Sequence, residues 1–146
     1  MSDFRKLSES FLASPQLTLE DVAVAEAAGV RMIINNRPEG EATDQTPGPA
    51  IEAAARAAGI GYVSIPISPG DFSEANVHAM VDALDQANGK VLAYCRTGTR
   101  STLLWALAQS ARGIAPQHVA DAAGAAGYDV SPIWPAITAL ANSARR

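Results

Sequence analysis

The sequence predicts a single α/β domain in which a mostly parallel sheet of four to five strands is flanked by helices. Short apolar runs alternate along the chain with longer segments whose apolar residues recur at helical spacing. This order is typical of parallel sheets that are covered on both faces. The 146 residues suit one domain over positions 1–146, because this length buries an ordinary core but is short for two.

The first half of the chain begins with two short extended segments and continues with a helix, a strand and a second helix. Thr18 is expected to cap the first helix, since acidic residues follow it and Gly29 stands just past the helix end. The other elements predicted here are extended segments near Phe4–Leu7 and Phe11–Ala13, a strand over Val30–Asn35, and a helix that begins at Pro47-Gly48-Pro49 and is closed by Gly59.

The second half alternates in the same way and ends in three helices. Ser73 is expected to cap a helix with one apolar face, which Asn88-Gly89 ends. Trp105 and Trp134 lie in helical apolar patterns, so we interpret both as packing residues. The remaining predicted elements are strands over Ile60–Ile67 and Val91–Tyr94, helices over about Arg100–Arg112 and Pro116–Ala126, and a last helix from Ser131-Pro132.

Charge and composition argue against several classes of partner. The net charge of −4 gives no basic footprint for nucleic acid or for an anionic membrane surface. No apolar run has the length of a bilayer span or the form of a signal peptide, and a lone cysteine suits a reducing compartment, so we expect a cytoplasmic protein. His78 and His118 stand too far apart for typical zinc spacing. We therefore expect no metal and no other cofactor, and we interpret neither histidine as a catalytic base.

The segment Cys95-Arg-Thr-Gly-Thr-Arg-Ser101 has the features of an anion-binding catalytic loop between a strand and a helix. Unpaired amides at a helix N-terminus and two nearby arginines favour the thiolate form of Cys95, which is a nucleophile. The alternative is that Cys95 is a small buried apolar residue. The residues expected to bind the anion through amides or side chains are Arg96, Thr97, Gly98, Thr99, Arg100 and Ser101.

Two further loops follow predicted strands at the same edge of the sheet. Arg37 comes after Val30–Asn35, and we interpret it either as a second anion-binding residue or as a solvated loop arginine. Asp71 comes after Ile60–Ile67. It is either a mobile general acid or an ordinary turn residue before the Ser73 cap, and the turn interpretation is favoured.

The loop resembles one class of enzyme, whereas the rest of the chain resembles another. Rhodanese-type sulfurtransferases commonly use Cys-Arg-x-Gly-x-Arg, which is the pattern from Cys95 to Arg100. Phosphatases of the cysteine type have one more residue between cysteine and arginine and usually have histidine where this chain has Tyr94. The order of elements, the strand end Ile65-Pro66-Ile67 and the pair Arg100-Ser101 nevertheless resemble dual-specificity phosphatases.

Taken from about Asp3 to Leu140, the chain resembles the bacterial family of beta-lactamase-hydrolase-like, phosphatase-like domains. The stretches Ile33–Gly40 and Leu92–Ser101 carry this resemblance. It implies a cysteine-phosphatase fold in a family whose members are described both as phosphatases and as sulfurtransferases. Some members are fused to metallo-beta-lactamase-fold sulfur dioxygenases. That context implies a role in sulfide or persulfide metabolism, with a sulfur dioxygenase or a thiol acceptor as partner.

The main functional hypothesis from the sequence is sulfur transfer. Cys95 would attack the outer sulfur of thiosulfate or of a low-molecular-weight persulfide and form a Cys95 persulfide, with Arg96 or Arg100 orienting the anionic donor. The alternative is a phosphatase, in which Cys95 attacks phosphorus, Arg100 holds the phosphoryl oxygens and Asp71 protonates the leaving group. Ser101 would then stabilise the departing thiolate. A second alternative is a non-catalytic module that binds an anion or a persulfide.

Overall fold

The computed structural model describes residues 2–144, which form five strands, six α-helices and one short 3-10 turn. The strands are β1 (Arg5–Ser8), β2 (Phe11–Ser14), β3 (Val30–Asn35), β4 (Gly61–Ser64) and β5 (Lys90–Tyr94). The helices are α1 (Leu19–Ala27), α2 (Gly48–Ala57), α3 (Glu74–Gln86), α4 (Thr99–Ala111), α5 (Pro116–Ala125) and α6 (Trp134–Ala144). The 3-10 turn, Ser131–Ile133, directly precedes α6.

The strands form one sheet in the order β1-β2-β5-β3-β4. Only the β1–β2 pair is antiparallel, whereas β2, β5, β3 and β4 run parallel to one another. The predicted α/β class with a mostly parallel sheet is therefore confirmed. The carboxyl ends of the four parallel strands meet at one edge of the sheet, which is where ligands bind in open α/β sheets.

Helices cover both faces of the sheet because its central strands are apolar on both sides. In β5, Val91 and Ala93 pack in a core shared with α3–α6, whereas Leu92 and Tyr94 pack in a core shared with α1 and α2. Helix α4 is buried along most of its length, and the ring of its Trp105 lies tilted against that of Phe11, with the ring centroids 5.9 Å apart. None of the helices within residues 2–144 has the length and apolarity needed to cross a membrane.

Most predicted boundaries agree with the structure to within a few residues. Thr18 and Ser73 cap α1 and α3 as expected, each accepting a hydrogen bond from the backbone amide three residues later. The fourth strand is shorter than predicted, since it ends at Ser64 rather than at Ile67. The amides of Ile65 and Ile67 still donate towards β3, but their acceptors are the carbonyls of adjacent residues, Asn35 and Asn36, rather than of residues two apart, so the regular ladder stops after Ser64.

Candidate active site

Cys95 directly follows β5, and the loop from Cys95 to Gly98 leads into the N-terminus of α4. The cysteine is buried, and the Gly98 amide donates a hydrogen bond to its Sγ at 3.1 Å. Gly98 has a φ of +92°, a left-handed conformation that favours glycine, and an added Cβ would overlap the Tyr128 hydroxyl. The backbone therefore brings an amide hydrogen to the sulfur, an interaction that stabilises a thiolate.

Three carbonyl groups of the loop accept hydrogen bonds from groups outside the loop. Because the amide and carbonyl of one peptide unit point in opposite directions, holding these carbonyls outwards aims the following amides towards the inside of the loop. The groups that donate to the carbonyls of residues 96, 97 and 98 are the Gln16 amide (3.2 Å), the Tyr128 hydroxyl (3.3 Å) and the Thr102 amide (3.0 Å). These contacts fix the orientation of the loop's peptide units.

Arg100 lies in the first turn of α4 and is held by two elements of the sheet edge. Its Nη1 donates to Glu41 Oε2 at 2.8 Å and to the Ile67 carbonyl at 2.6 Å, and its Nη2 donates to Glu41 Oε1 at 2.8 Å. The Arg100 side chain is only 11% exposed. The hydrogen bonds with Glu41 raise the pKa of Arg100 above its ordinary value, despite the opposing effect of burial.

Glu41 is shared between Arg100 and a second arginine, Arg37. The Nε of Arg37 donates to Glu41 Oε1 at 2.9 Å, and its Nη1 donates to the Gln16 side chain at 3.0 Å. Hydrogen bonds from Arg100, together with those from Arg37, lower the pKa of Glu41 to about 2 against the opposing effect of partial burial. Arg37 is therefore a buried member of the site's ionic network rather than a solvated loop residue.

Ser101 forms a buried polar pair with Asn36. The Ser101 hydroxyl donates to Asn36 Oδ1 at 2.8 Å, and the Asn36 amide side chain donates to the Ile65 carbonyl at 3.0 Å. The backbone amide of Asn36 also donates to the Tyr94 carbonyl, at the end of β5. In this arrangement the hydroxyl proton of Ser101 is used by Asn36, so the pair joins the loops that follow β3 and β5.

A cleft of about 460 Å³ opens beside the loop. Arg96, Thr97 and Thr99 are exposed at this cleft, and the Thr97 and Thr99 hydroxyls are hydrogen bonded to each other at 3.0 Å. Asp71 is exposed on a turn in which its amide donates to the Ser68 carbonyl at 2.9 Å. The neighbours of Asp71 line the cleft, but Asp71 does not.

The structure brings most of the predicted site residues together, and it adds residues that the sequence analysis missed. Cys95, Arg100 and Arg37 meet at the sheet edge, whereas His78 and His118 are exposed on α3 and α5, away from it. The missed residues are Gln16, Asn36, Glu41 and Tyr128. The acidic residue four positions after Arg37 was a visible signal for Glu41, but nothing local marks Tyr128. Among residues 2–144, no group of three or more His, Cys, Asp or Glu side chains could hold a metal ion.

Tyr94 stands where phosphatases usually have histidine, and its side chain lies on the face of the sheet covered by α1 and α2. It is buried in the core beneath α1 and α2, and burial raises the pKa of its hydroxyl. Successive residues of a strand point to opposite faces, so the side chain before Cys95 is directed away from the helices that flank the loop. The loop itself accepts hydrogen bonds from the Tyr128 hydroxyl and the Gln16 backbone amide.

Comparison with known proteins identifies a matching family. The model of the family "Beta-lactamase hydrolase-like protein, phosphatase-like domain" matches residues 3–112. The beta-lactamase hydrolase-like protein of Xylella fastidiosa Temecula1 is 34% identical over 125 residues, and that of Agrobacterium fabrum is 32% identical over 126. These alignments cover 85% and 86% of this chain, but the chain spans only 29% of the length of either relative.

Solved structures agree with the fold. A "putative phosphatase" from Neisseria meningitidis Z2491 superimposes with a TM-score of 0.82 at 33% identity, covering 93% of this chain and 96% of the other. TpbA from Pseudomonas aeruginosa superimposes with a TM-score of 0.70 at 18% identity, covering 99% of this chain and 92% of TpbA. The second likeness concerns the fold alone. The predicted resemblance to cysteine phosphatases is therefore confirmed at the level of family and fold.

Proposed function

This chain belongs to the family of phosphatase-like domains of beta-lactamase hydrolase-like proteins, and on that basis we propose that it is a cysteine-dependent phosphatase acting on phosphate monoesters. One observation carries the proposal: the Cys95 sulfur accepts a hydrogen bond from the Gly98 amide. The loop that contains both residues leads directly into α4, whose first turn holds Arg100. The comparisons favour this alternative over the sulfur transfer expected from the loop spacing, since the Neisseria relative is described as a "putative phosphatase".

In the proposed reaction, the Cys95 thiolate attacks phosphorus in line with the leaving oxygen. A sulfur–phosphorus bond forms, the phosphorus–oxygen ester bond breaks, and its electron pair leaves on the oxygen. The inward-facing amides of the loop hold the phosphoryl oxygens throughout, at the positive end of the α4 dipole. Water then attacks the phosphocysteine and releases inorganic phosphate together with the free thiolate.

The hydrogen bonds of Arg100 leave a defined set of donors for the substrate. A guanidinium has five N–H groups. Glu41 and the Ile67 carbonyl use both hydrogens of Nη1 and one of Nη2, so the Nε hydrogen and one Nη2 hydrogen remain. Two adjacent donors in this fork match two oxygens of a phosphoryl group, which is the bidentate geometry that arginine supplies and lysine does not.

We include in the proposal that residues 1–146 act as one catalytic domain and that the ligand of the loop is a phosphoryl group. A TpbA variant from Pseudomonas aeruginosa has been crystallised in complex with pTyr, which gives a phosphoryl ligand on a related fold. The roles of Arg96, Thr97, Thr99 and Ser101 in binding this group stay predictions.

The first test is hydrolysis of 4-nitrophenyl phosphate by the wild type, Cys95→Ser and Arg100→Lys. We expect Cys95→Ser to lose turnover and Arg100→Lys to lose about 100-fold in kcat, because an oriented charged donor to a transition-state oxygen has about this effect. Arg112→Lys is the matched control, since Arg112 is an exposed arginine just past the other end of α4, paired with Asp85. Rapid acid quenching should trap phosphate on the peptide that contains Cys95. Equal turnover by the wild type and Cys95→Ser would refute the proposal.

Sulfur transfer is a second candidate because of one specific observation. Four residues separate Cys95 from Arg100, which is one fewer than in phosphatases and equals the rhodanese spacing. A tighter loop suits the terminal sulfur of a persulfide. Intact mass after thiosulfate treatment, with reductant removed, would decide between the candidates. A gain of one sulfur atom on the wild type but not on Cys95→Ser, discharged by cyanide as thiocyanate, would support sulfur transfer, and no gain would leave the phosphatase.

A further inference from the structure

The cleft beside the loop has predominantly apolar walls. Phe72, Leu103 and Ile133 line it, together with two prolines, while Arg96 and Arg100 lie at the side where the anion would bind. These apolar residues come from the segment after β4, from α4 and from the 3-10 turn before α6. A substrate that fills the cleft therefore carries an apolar group beside its anionic group, because such a group removes this surface from water.

The second feature of the cleft concerns the side chains that could protonate a leaving group. Within residues 2–144, its lining side chains include no carboxylate and no imidazole. Asp71 lies on the adjoining turn, exposed to solvent. Asp129 lies just before the 3-10 turn, and both of its oxygens accept hydrogen bonds from Ser131, whose backbone amide lowers the pKa of that carboxyl. Glu41 is ionised and bound by two arginines, so it cannot donate a proton at neutral pH.

From these two observations, and resting on the phosphatase function proposed above, we propose that the substrates are aryl phosphate monoesters and that the protein supplies no proton to the leaving group. When the thiolate attacks, the phosphorus–oxygen bond breaks and its electron pair leaves on the aryl oxygen. The product is a phenolate, which takes its proton from solvent.

Without a positioned acid, the pKa of the leaving group determines which phosphate esters the protein can hydrolyse. The phenol of tyrosine has a pKa of about 10. Its phenolate is therefore a much weaker base than the alkoxide of serine or of a sugar hydroxyl, and it can depart without a positioned acid. An alkyl phosphate lacks that advantage and also lacks a flat apolar group for the cleft. Acidity of the leaving group and fit to the apolar walls thus select the same class of substrate.

The test is the dependence of kcat/KM on leaving-group acidity, measured with a series of substituted phenyl phosphates and one alkyl phosphate. A positioned general acid contributes about 10²–10⁴-fold, so without one we expect phenyl phosphate to react at least about 100-fold more slowly than 4-nitrophenyl phosphate. Asp71→Asn should show the same ratio as the wild type. A shallow dependence that becomes steep in Asp71→Asn would overturn the inference and identify Asp71 as a mobile acid.

The apolar walls are tested by comparing an aryl phosphate with acetyl phosphate, which has an acidic leaving group but no aromatic ring. Ile133→Ala should lower the ratio of kcat/KM for phenyl phosphate over acetyl phosphate by about fivefold, because it removes apolar contact area that only the aryl group uses. Ile114→Ala is the matched control, since Ile114 is exposed and does not line the cleft. An unchanged ratio in Ile133→Ala would overturn this part of the inference.

The two levels of proposal fail in different ways. If no phosphate ester is hydrolysed in a manner that needs Cys95, the phosphatase function itself is wrong. If hydrolysis needs Cys95 but the alkyl phosphate reacts as fast as the aryl phosphates, the phosphatase function stands and the aryl specificity is wrong.

Discussion

Substitution of Glu41 by glutamine tests the ionic network that holds Arg100. Glu41 accepts three hydrogen bonds from two arginines, and its side chain is only 19% exposed. Glutamine keeps the size of the side chain but removes the negative charge. Arg37 and Arg100 would then face each other's charge with no carboxylate between them. We therefore expect Glu41→Gln to fold less stably and to bind the phosphoryl group less well.

The pKa of Glu41 gives the size and the pH dependence of this effect. Its fall from 4.5 to about 2 on folding corresponds to about 3 kcal/mol of the free energy of unfolding at neutral pH. Because the folded-state pKa is depressed, this stabilisation is complete above pH 4.5 and is lost as the pH falls towards 2. At pH 3 the contribution should already be smaller by about 2 kcal/mol.

Urea unfolding of the wild type and Glu41→Gln at several pH values between 7 and 3 measures the difference directly. We expect the two proteins to differ by about 3 kcal/mol at pH 7 and to approach each other as the pH is lowered. Glu52→Gln serves as the control, since Glu52 pairs with Arg56 on the exposed face of α2. A difference between wild type and Glu41→Gln that stays constant from pH 7 to pH 3 would show that the ion pairs do not form as described.

Three further substitutions test the loop and its support. Gly98→Ala should lower the free energy of unfolding in urea by about 1–3 kcal/mol, because residue 98 has a positive φ. Adding Tyr128→Phe should recover part of this loss, because it removes the hydroxyl that the new Cβ overlaps. If the two substitutions instead change the free energy of unfolding additively, the overlap is absent. Tyr128→Phe alone should lower the free energy of unfolding by about 1 kcal/mol and should also lower kcat, because the Thr97 carbonyl loses its donor. An unchanged kcat would argue against a role for Tyr128 in positioning the loop. Ser101→Ala should cost about 1–3 kcal/mol, since it leaves Asn36 Oδ1 buried without its donor, and an unchanged melting temperature would contradict that.

Most of the fold could be predicted from local patterns. The apolar run from Val91 to Tyr94 predicted a strand buried on both faces, and Thr18 and Ser73 marked helix starts through their side-chain chemistry. The end of β4 was misplaced because an apolar run continues through Pro66, and backbone pairing rather than hydrophobicity decides where a strand ends. The order of the strands is likewise a result of packing over the whole chain.

Some residues of the candidate site could likewise be predicted from local sequence, and others could not. Cys95, Gly98 and Arg100 could be recognised together because a strand, a glycine and a helix start are all local features. The support of the loop could not be recognised, since the Tyr128 hydroxyl reaches Thr97 across 31 positions and Glu41 reaches Arg100 across 59. The loop spacing weighted the choice between sulfur and phosphoryl transfer towards sulfur, whereas the family and fold favour the phosphatase alternative.

The sequence by itself determined the α/β class, the strand–loop–helix unit around Cys95 and the family resemblance, because each depends on residues close together in the chain. Only the tertiary structure decided which groups surround that unit. Parallel strands bring their carboxyl ends to one edge, so loops distant in sequence meet there and supply Glu41, Asn36 and Gln16 to the site. Their contacts depend on distances in space, which no spacing along the chain encodes.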